Sequence, residues 1–404
     1  MARNAVEGVA IAHIEDRWEK LVGGQRVRTD RFGKGDRWRA RYFDPNGRER
    51  ARTFARKADA ERFLAGVESD KSRGLYVDPA AGRITVKEYA TAWRASQVHR
   101  PTTAAAFESH LRIHILPGLG HRPMAAITRS EVQGWVKSRS ELLAPSTTTL
   151  VYSLLRMIFR AAVADRVLAV SPCERIALPK APPKDIAPLP IAAVTALVNA
   201  VPERYRALLI TAAGTGLRQG ETFGLRVDRV DFLRRTLTVD GQLTTLPGAP
   251  PYLAPPKTIA SYRTVPLADV VLESLSAHVQ ANDPVSVLDQ RGRGFALLFS
   301  DDKDRPIRRT WFHQQVWTPA VVLSGLPKGT HFHELRHFYA SLLIDGGESV
   351  KVVQTRLGHA TADETLNTYA HLWPDSEDRS RAAVDAGLGK ALTAQGRPSD
   401  VLEN

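Results

Sequence analysis

The clearest periodicity in the first eighty residues is in DRWRARYF, where Trp38, Ala40 and Tyr42 alternate with Arg37, Arg39 and Arg41. A period of two sends successive side chains to opposite faces of a strand, so the segment predicts a half-buried strand with one cationic face. The turn sequence DPNG at 44 to 47 and the run RERARTF, with Arg50 and Arg52, complete a β-hairpin, and ADAERFLAGVES predicts a helix behind it. Past residue 84 the pattern becomes helical. ITVKEYATAW and ITRSEVQGWV each place a threonine three residues before a glutamate, Thr85 with Glu88 and Thr128 with Glu131. That is the capping-box spacing, in which each side chain satisfies the other's backbone N–H at a helix start. TTAAAFESHLRIHI predicts a helix stopped by LPGLG. STTTLVYSLLRMIFRAAVAD puts Leu150, Leu154, Leu155, Ile158 and Phe159 on one helix side.

Proline density marks the next boundary. LPKAPPKDIAPLP, residues 178 to 190, blocks helix continuation and favours an extended linker. Two helices follow, AAVTALVNAV and RYRALLITAAG, then a β-region with TLTV and YRTVPL, then several helices. The pattern predicts a multidomain α+β chain. A small sheet with a helix spans 1 to 83, an all-helical domain 84 to 180, and a mixed α/β domain 191 to 404, with DSEDRSRAAVDAGLGKAL as a helical tail.

Composition narrows the function. The 404 residues carry a formal net charge of +13, which calls for a polyanionic partner. From Arg26 to Lys57 there are twelve Lys/Arg against four Asp/Glu, and arginines on a small sheet suit a DNA groove. Arg37, Arg39, Arg41, Arg50 and Arg52 are the candidate contacts. No stretch approaches the roughly 18 apolar residues of a membrane span, and the N-terminus has no apolar signal core. A DNA-associated chain in the cytoplasm is therefore expected. The single cysteine, Cys173, excludes an intrachain disulfide and a cysteine-rich zinc finger.

Candidate chemistry collects after the linker. TGLRQGE sets Arg218 and Glu221 one helical turn apart. PPKTIASYRTVPL places Lys257 just before a strand. HFHELRH carries His333 and Arg336 three apart, RLGHA carries His359 at a glycine-marked helix end, and LNTYAHLWP carries Tyr369. Singly, each has an ordinary structural explanation: a helix ion pair, a solvated lysine, a helix cap, a core-edge tyrosine.

In this order and spacing the set closely resembles the tyrosine recombinase (phage integrase) family: G-L-R-x-x-E, a β-hairpin lysine, H-x-L-R, L-G-H, then a tyrosine about ten residues on. Val227 stands where the family often has tryptophan. The resemblance implies a site-specific DNA recombinase that cuts and rejoins strands through a 3′-phosphotyrosine. Its implied residues are Arg218, Lys257, His333, Arg336, His359 and Tyr369, with Glu221 and His337 in support. His333 is then the implied base and Lys257 the implied acid. It also implies an arm-type DNA-binding part before residue 84, a core-type one from 84 to 180, and no cofactor. A homotetramer on paired attachment sites is expected, with accessory DNA-bending and directionality proteins. Two other readings share features of the sequence: a type IB topoisomerase-like nicking and closing enzyme, and an inactive DNA-binding regulator.

HELRH also contains the H-E-x-x-H string of zinc proteases. A zincin site needs a third protein ligand, and FYASLLIDGG, which follows, offers no histidine at the metzincin offset. Arg336 within the string would also repel a metal cation. A metal is therefore not expected.

Overall fold

The computed structural model describes residues 12 to 45, 47 to 74, 76 to 78, 80 to 180, 186 to 373 and 377 to 389. The chain divides into two compact units, Met1–Pro182 and Pro183–Asn404.

The first unit opens with β1 (His13–Asp16), the hairpin β2 (Glu19–Val22) and β3 (Gln25–Arg28), then β4 (Trp38–Phe43), β5 (Glu49–Phe54) and α1 (Lys57–Ser72). The expected hairpin is β4–β5, in antiparallel register from Trp38 opposite Phe54 to Phe43 opposite Glu49. Asn46 of its turn lies outside the described residues. β1 completes a three-stranded sheet in the order β1-β4-β5. Alternation does what was expected of it in β4: Ala40 and Tyr42 are buried, and Tyr42 meets Phe63 of α1 edge-on at 5.7 Å.

The helical part contains α2 (Val86–Ser96), α3 (Pro101–His110), α4 (Leu116–Leu119), α5 (Arg129–Ser140) and α6 (Pro145–Ala164). Both capping boxes form, at Thr85 and at Thr128. The LPGLG segment does not stop the third helix as expected. α3 continues through a wide turn at Leu111–Ile115 into α4. Pro117 has no N–H to donate, and just before it the ladder shifts to a five-residue step, with Leu116 N–H on the Leu111 carbonyl. Of the five residues expected on the buried side of α6, Leu154, Leu155, Ile158 and Phe159 are buried, whereas Leu150 is 54% exposed.

The second unit packs α7 (Ile191–Ala200), α8 (Glu203–Thr215) and α9 (Gln219–Phe223) beside short strands. These are β6 (Val230–Asp231), β7 (Thr236–Val239), β8 (Gln242–Thr244), β9 (Tyr252–Ala254) and β10 (Arg263–Pro266). The sheet order is β10-β7-β6, with β8 and β9 paired separately. Next come α10 (Asp269–Ala281), β11 (Val285–Leu288), β12 (Gly294–Leu297), α11 (Arg309–Phe312), α12 (Thr318–Leu323), α13 (Glu334–Asp345), α14 (Val350–Leu357), α15 (Ala362–Tyr369) and α16 (Glu377–Val384). One core joins α7, α8 and α10 to β7 and α12 through Leu197, Leu208, Leu237, Leu275 and Val321. A second, smaller core places Val265, Tyr339, Leu357 and Tyr369 together and so ties β10, α13, α14 and α15 around one point. The expected tail helix is represented by α16, and parts of that segment lie outside the described residues.

Candidate active site

Arg218 stands where α8 gives way to α9. α8 ends at Gly216 in the left-handed conformation (φ 63°), a state open to glycine at no steric cost. A Cβ there would collide with the Tyr339 ring. Arg218 then caps α9. Its backbone N–H donates to Glu221 Oε2 (3.0 Å) and its Nη1 to Glu221 Oε1 (3.0 Å). Nη1 also reaches Ser261 Oγ (3.4 Å), and Nη2 the Gly358 carbonyl (3.3 Å).

Glu221 is buried and accepts a second guanidinium, Arg263 Nη2, at 2.8 Å. Burial opposes its charge, but Arg263 and then Arg218 outweigh that and hold the carboxyl below its usual range. Arg263 donates further from Nε to the Arg356 carbonyl (2.8 Å) and from Nη1 to the Ser261 carbonyl (3.0 Å). The reading of the sequence missed Arg263. A signal existed: strand parity puts Arg263 on the face of Val265, and a buried arginine needs an acid.

Arg336 lies in the first turn of α13 and is 2% exposed. Nη1 donates to the Gly216 carbonyl (2.8 Å), while Nη2 is buried with no hydrogen-bond partner among the described residues. Burial, then the charges of Arg218 and Arg263, push this guanidinium down to about 9, which leaves it cationic at neutral pH. Arg218 and Arg336 thus rest on carbonyls of glycines that end helices, where the negative end of the helix dipole faces them.

His359 follows Gly358, the left-handed residue (φ 67°) that ends α14. Its Nδ1 lies 2.8 Å from Thr365 Oγ1. Burial, then the charge of Arg336, push the imidazole down to about 4, so the ring is neutral at physiological pH. Tyr369, the last residue of α15, is 1% exposed and stacks on His359 with centroids 6.4 Å apart. Tyr369 Oη is hydrogen-bonded to His337 Nδ1 at 2.8 Å. Burial pushes its hydroxyl up to about 12, against the pull of Arg336. His333 sits at the start of α13, edge-to-face with His337 at 4.8 Å. Surrounding protein, then Arg336 and Arg218, lower its imidazole below the ordinary value, although the residue keeps an open side toward water.

Arg218, Glu221, His333, Arg336, His337, His359 and Tyr369 therefore converge. Lys257 does not join them by any bond. It is exposed on the loop after β9 and makes no hydrogen bond or ion pair with a described residue. Its neighbour Thr258 is linked through Ser261 to Arg218. Among the described residues no group of three or more His, Cys, Asp or Glu side chains could hold a metal ion.

The five N-terminal arginines do not form one cationic face. Arg50 and Arg52 pair opposite Tyr42 and Ala40 and share their face, whereas Arg39 and Arg41 take the other. Arg37 is engaged by Asp16 (2.7 Å) and Glu19 (3.1 Å), Arg41 by Glu15 (2.8 Å) and Glu49 (2.6 Å), and Arg50 by Asp44 and Asp78. Arg52 lies over the Phe54 and Phe63 rings, 5.3 Å from each centroid. Arg39 alone of the five has neither an ion pair nor a ring contact with a described residue.

The site thus sets two arginines, Arg218 and Arg336, beside a buried tyrosine, Tyr369. Comparison with known proteins gives the site a family. Residues 189–375 match the phage integrase family, 31–73 the phage integrase N-terminal domain, and 85–178 the phage integrase central domain. The phiRv2 prophage integrase of Mycobacterium tuberculosis is 27% identical over 374 residues, covering 90% of this chain and 96% of the relative. In fold, the Tn1549 transposon integrase bound to a circular intermediate DNA matches with a TM-score of 0.64 at 22% identity, over 75% of this chain and 99% of that one. A lambda integrase from a tetramer bound to a Holliday junction matches at 0.53 and 18%, over 80% and 94%. The chain belongs to the tyrosine recombinase, or phage integrase, family.

Proposed function

We propose that Tyr369 attacks a DNA phosphodiester, forms a 3′-phosphotyrosine and releases a 5′-hydroxyl that later reverses the step on another strand. The observation that carries this reading is the buried, unpartnered Nη2 of Arg336, near Arg218 and Tyr369, with His359 stacked on Tyr369. A buried N–H without a partner is costly, and a phosphate oxygen would repay it. Attack builds negative charge on the non-bridging oxygens, and guanidinium forks stabilise it most in a dry site. His359 adds a neutral donor in the tautomer in which Thr365 donates to Nδ1 and Nε2 carries the N–H. The bond energy is kept in the phosphotyrosine, so religation calls for neither nucleotide nor metal.

Tyr369 must lose its proton to attack, and its burial makes that harder. His333 is the base that the family implies. The hydrogen bond to His337 supports a second reading, in which His337 Nδ1 accepts the proton first. The 5′-oxygen needs a proton on leaving, and Lys257, on its exposed loop, supplies it. The part before residue 84 binds arm-type sites and 84 to 180 core-type sites. A homotetramer synapses paired attachment sites in the bacterial cytoplasm, with accessory bending and directionality proteins. A nicking and closing enzyme fits less well, because a separate basic N-terminal part suits the bridging of two kinds of site, and an inactive regulator fits less well, because Arg218, Lys257, His333, Arg336, His359 and Tyr369 are all present.

The test uses a scissile phosphate with sulfur at the bridging 5′ position. A proton donor is worth about 10²–10⁴ in rate to an alkoxide leaving group, and little to a thiolate, whose conjugate acid ionises near pH 8.5. Lys257→Ala should be slow on oxygen and restored on sulfur, while Arg218→Ala and Arg336→Ala stay slow on both. Equal defects for Lys257→Ala on the two substrates would remove it as the acid.

A further inference from the structure

Three of the five arginines expected to meet DNA in the N-terminal part are engaged by acids of that same part, so its available cations lie elsewhere. They lie on the β2–β3 hairpin and the loop after it. Glu19 pairs with Arg28 in register, Lys20 with Val27, Leu21 with Arg26, and Val22 with Gln25. Lys20, Arg31 and Lys34 have no side-chain hydrogen bond or ion pair with a described residue. Arg26, at 75% side-chain exposure, has only a 3.7 Å approach to Glu19, and Glu19 is itself held by Arg37.

The tip has an unusual composition for a surface projection. Leu21 is 73% exposed and Val22 52%, on the strand that enters the turn. The turn is Gly23-Gly24, both at positive φ (58° and 82°), and nothing lies within 4 Å of a Cβ built on either. Two central residues at positive φ match the twist of a tight hairpin, and two glycines leave the end of the ribbon narrow. The base is fixed: Thr29 N–H donates to the Trp18 carbonyl (2.9 Å), Trp18 packs on Phe32 at 5.7 Å, and Arg28 lies 4.0 Å over the Phe32 ring. A slender ribbon on an anchored base, apolar at its end and cationic along its stem, matches the proteins that push apolar side chains between base steps. The matched N-terminal family segment begins at residue 31, after this hairpin.

We propose that the β2–β3 hairpin is a DNA-bending wedge: Leu21 and Val22 press into a groove of the duplex beside the Gly23-Gly24 turn, while Lys20 and Arg26 take the flanking phosphates. This rests on the reading of the N-terminal part as a DNA-binding module. Interleaved cations favour a polyanion over a second protein as the occupant, since an apolar protein contact would bury Lys20 and Arg26 without partners.

The experiment uses the full chain and equal-length duplexes from the DNA beside its own coding sequence, with the protected site moved from end to centre. Gel mobility then reports bending, and titration in increasing salt reports phosphate contacts. Wild type should bend the site by about 20–90°. L21S/V22S should bind within about threefold of wild type yet lose most of the bend. K20A/R26A should lose about tenfold in affinity and flatten the salt slope by about two phosphate contacts. All four residues are exposed, so both variants should fold, and both should form the Tyr369 adduct on a nicked core site at the wild-type rate. That adduct separates the two ideas, because its absence in wild type defeats the recombinase mechanism itself. Adduct formation with unchanged bending and salt dependence in both variants overturns the wedge alone. So does a wild type that binds a straight duplex, or loss of self-association in L21S/V22S with bending intact.

Discussion

Arg263 is the residue on which the geometry of the pocket depends most. It neutralises Glu221, ties the start of β10 to the end of α14, and through Glu221 orients Arg218. Removing Arg263 leaves the buried Glu221 with Arg218 as its remaining cation, so the cost should not exceed the ~3–5 kcal/mol of a fully broken buried pair. Arg263→Ala should therefore lower the denaturation midpoint and slow adduct formation more than tenfold. Arg263→Lys, which keeps the charge but not the fork, should recover stability better than rate. Equal recovery of both would make Arg263 a purely structural residue. His359 sets a pH signature. Its folded-state value is pushed from 6.5 to about 4, so between those values the unfolded chain binds more protons, and stability rises with pH across that window. Chemical denaturation of the full chain from pH 4 to 6.5 should show this slope, to which the lowered His333 adds in the same sense, and His359→Asn should reduce it. An unchanged slope in the variant would mean that the ring is not buried in its neutral form.

At the scale of elements, legibility followed how local the cause was. Thr85 with Glu88 and Thr128 with Glu131 announce helix starts because both partners of each cap lie within four residues. Ala40 and Tyr42 announce a buried strand face for the same reason. LPGLG misled, because the shift of the helix ladder before Pro117 is settled by what the turn can pack against. The His114 carbonyl there accepts the Trp135 indole N–H at 3.3 Å, from a helix twenty-one residues on. Leu150 misled because the helical period defines a side but not where its edge falls. The residues of the pocket were readable as a set, and their joins were not. The bonds from Arg218 to Gly358 and from Arg336 to Gly216 span more than a hundred residues. The ion pairs of the arginines were unreadable for a related reason: their acids come from β1, β2, β5 and the segments at Asp44 and Asp78, none of which the alternation in β4 announces.

At the scale of the whole molecule, the proposed function puts distal DNA recognition and strand chemistry in different parts of the chain. Every residue of the tyrosine pocket lies in the unit Pro183–Asn404, and the candidate distal-site contacts all precede residue 84. A fragment beginning near Gly82 should therefore keep core-site binding and cleavage while losing the distal sites and the steep salt dependence that goes with them. Footprinting full chain and fragment side by side on one attachment region checks this. Identical footprints would abolish the assignment of two kinds of site to two parts of the chain. The central claim is that Tyr369 is the nucleophile, and the most direct measurement is covalent trapping on a nicked half-site whose cleaved end diffuses away, in the presence of EDTA. The account predicts a metal-independent adduct that maps by peptide sequencing to Tyr369 and vanishes in Tyr369→Phe with DNA affinity nearly unchanged. An adduct that persists in Tyr369→Phe, on Tyr339 or elsewhere, or one that requires a metal ion, would contradict it.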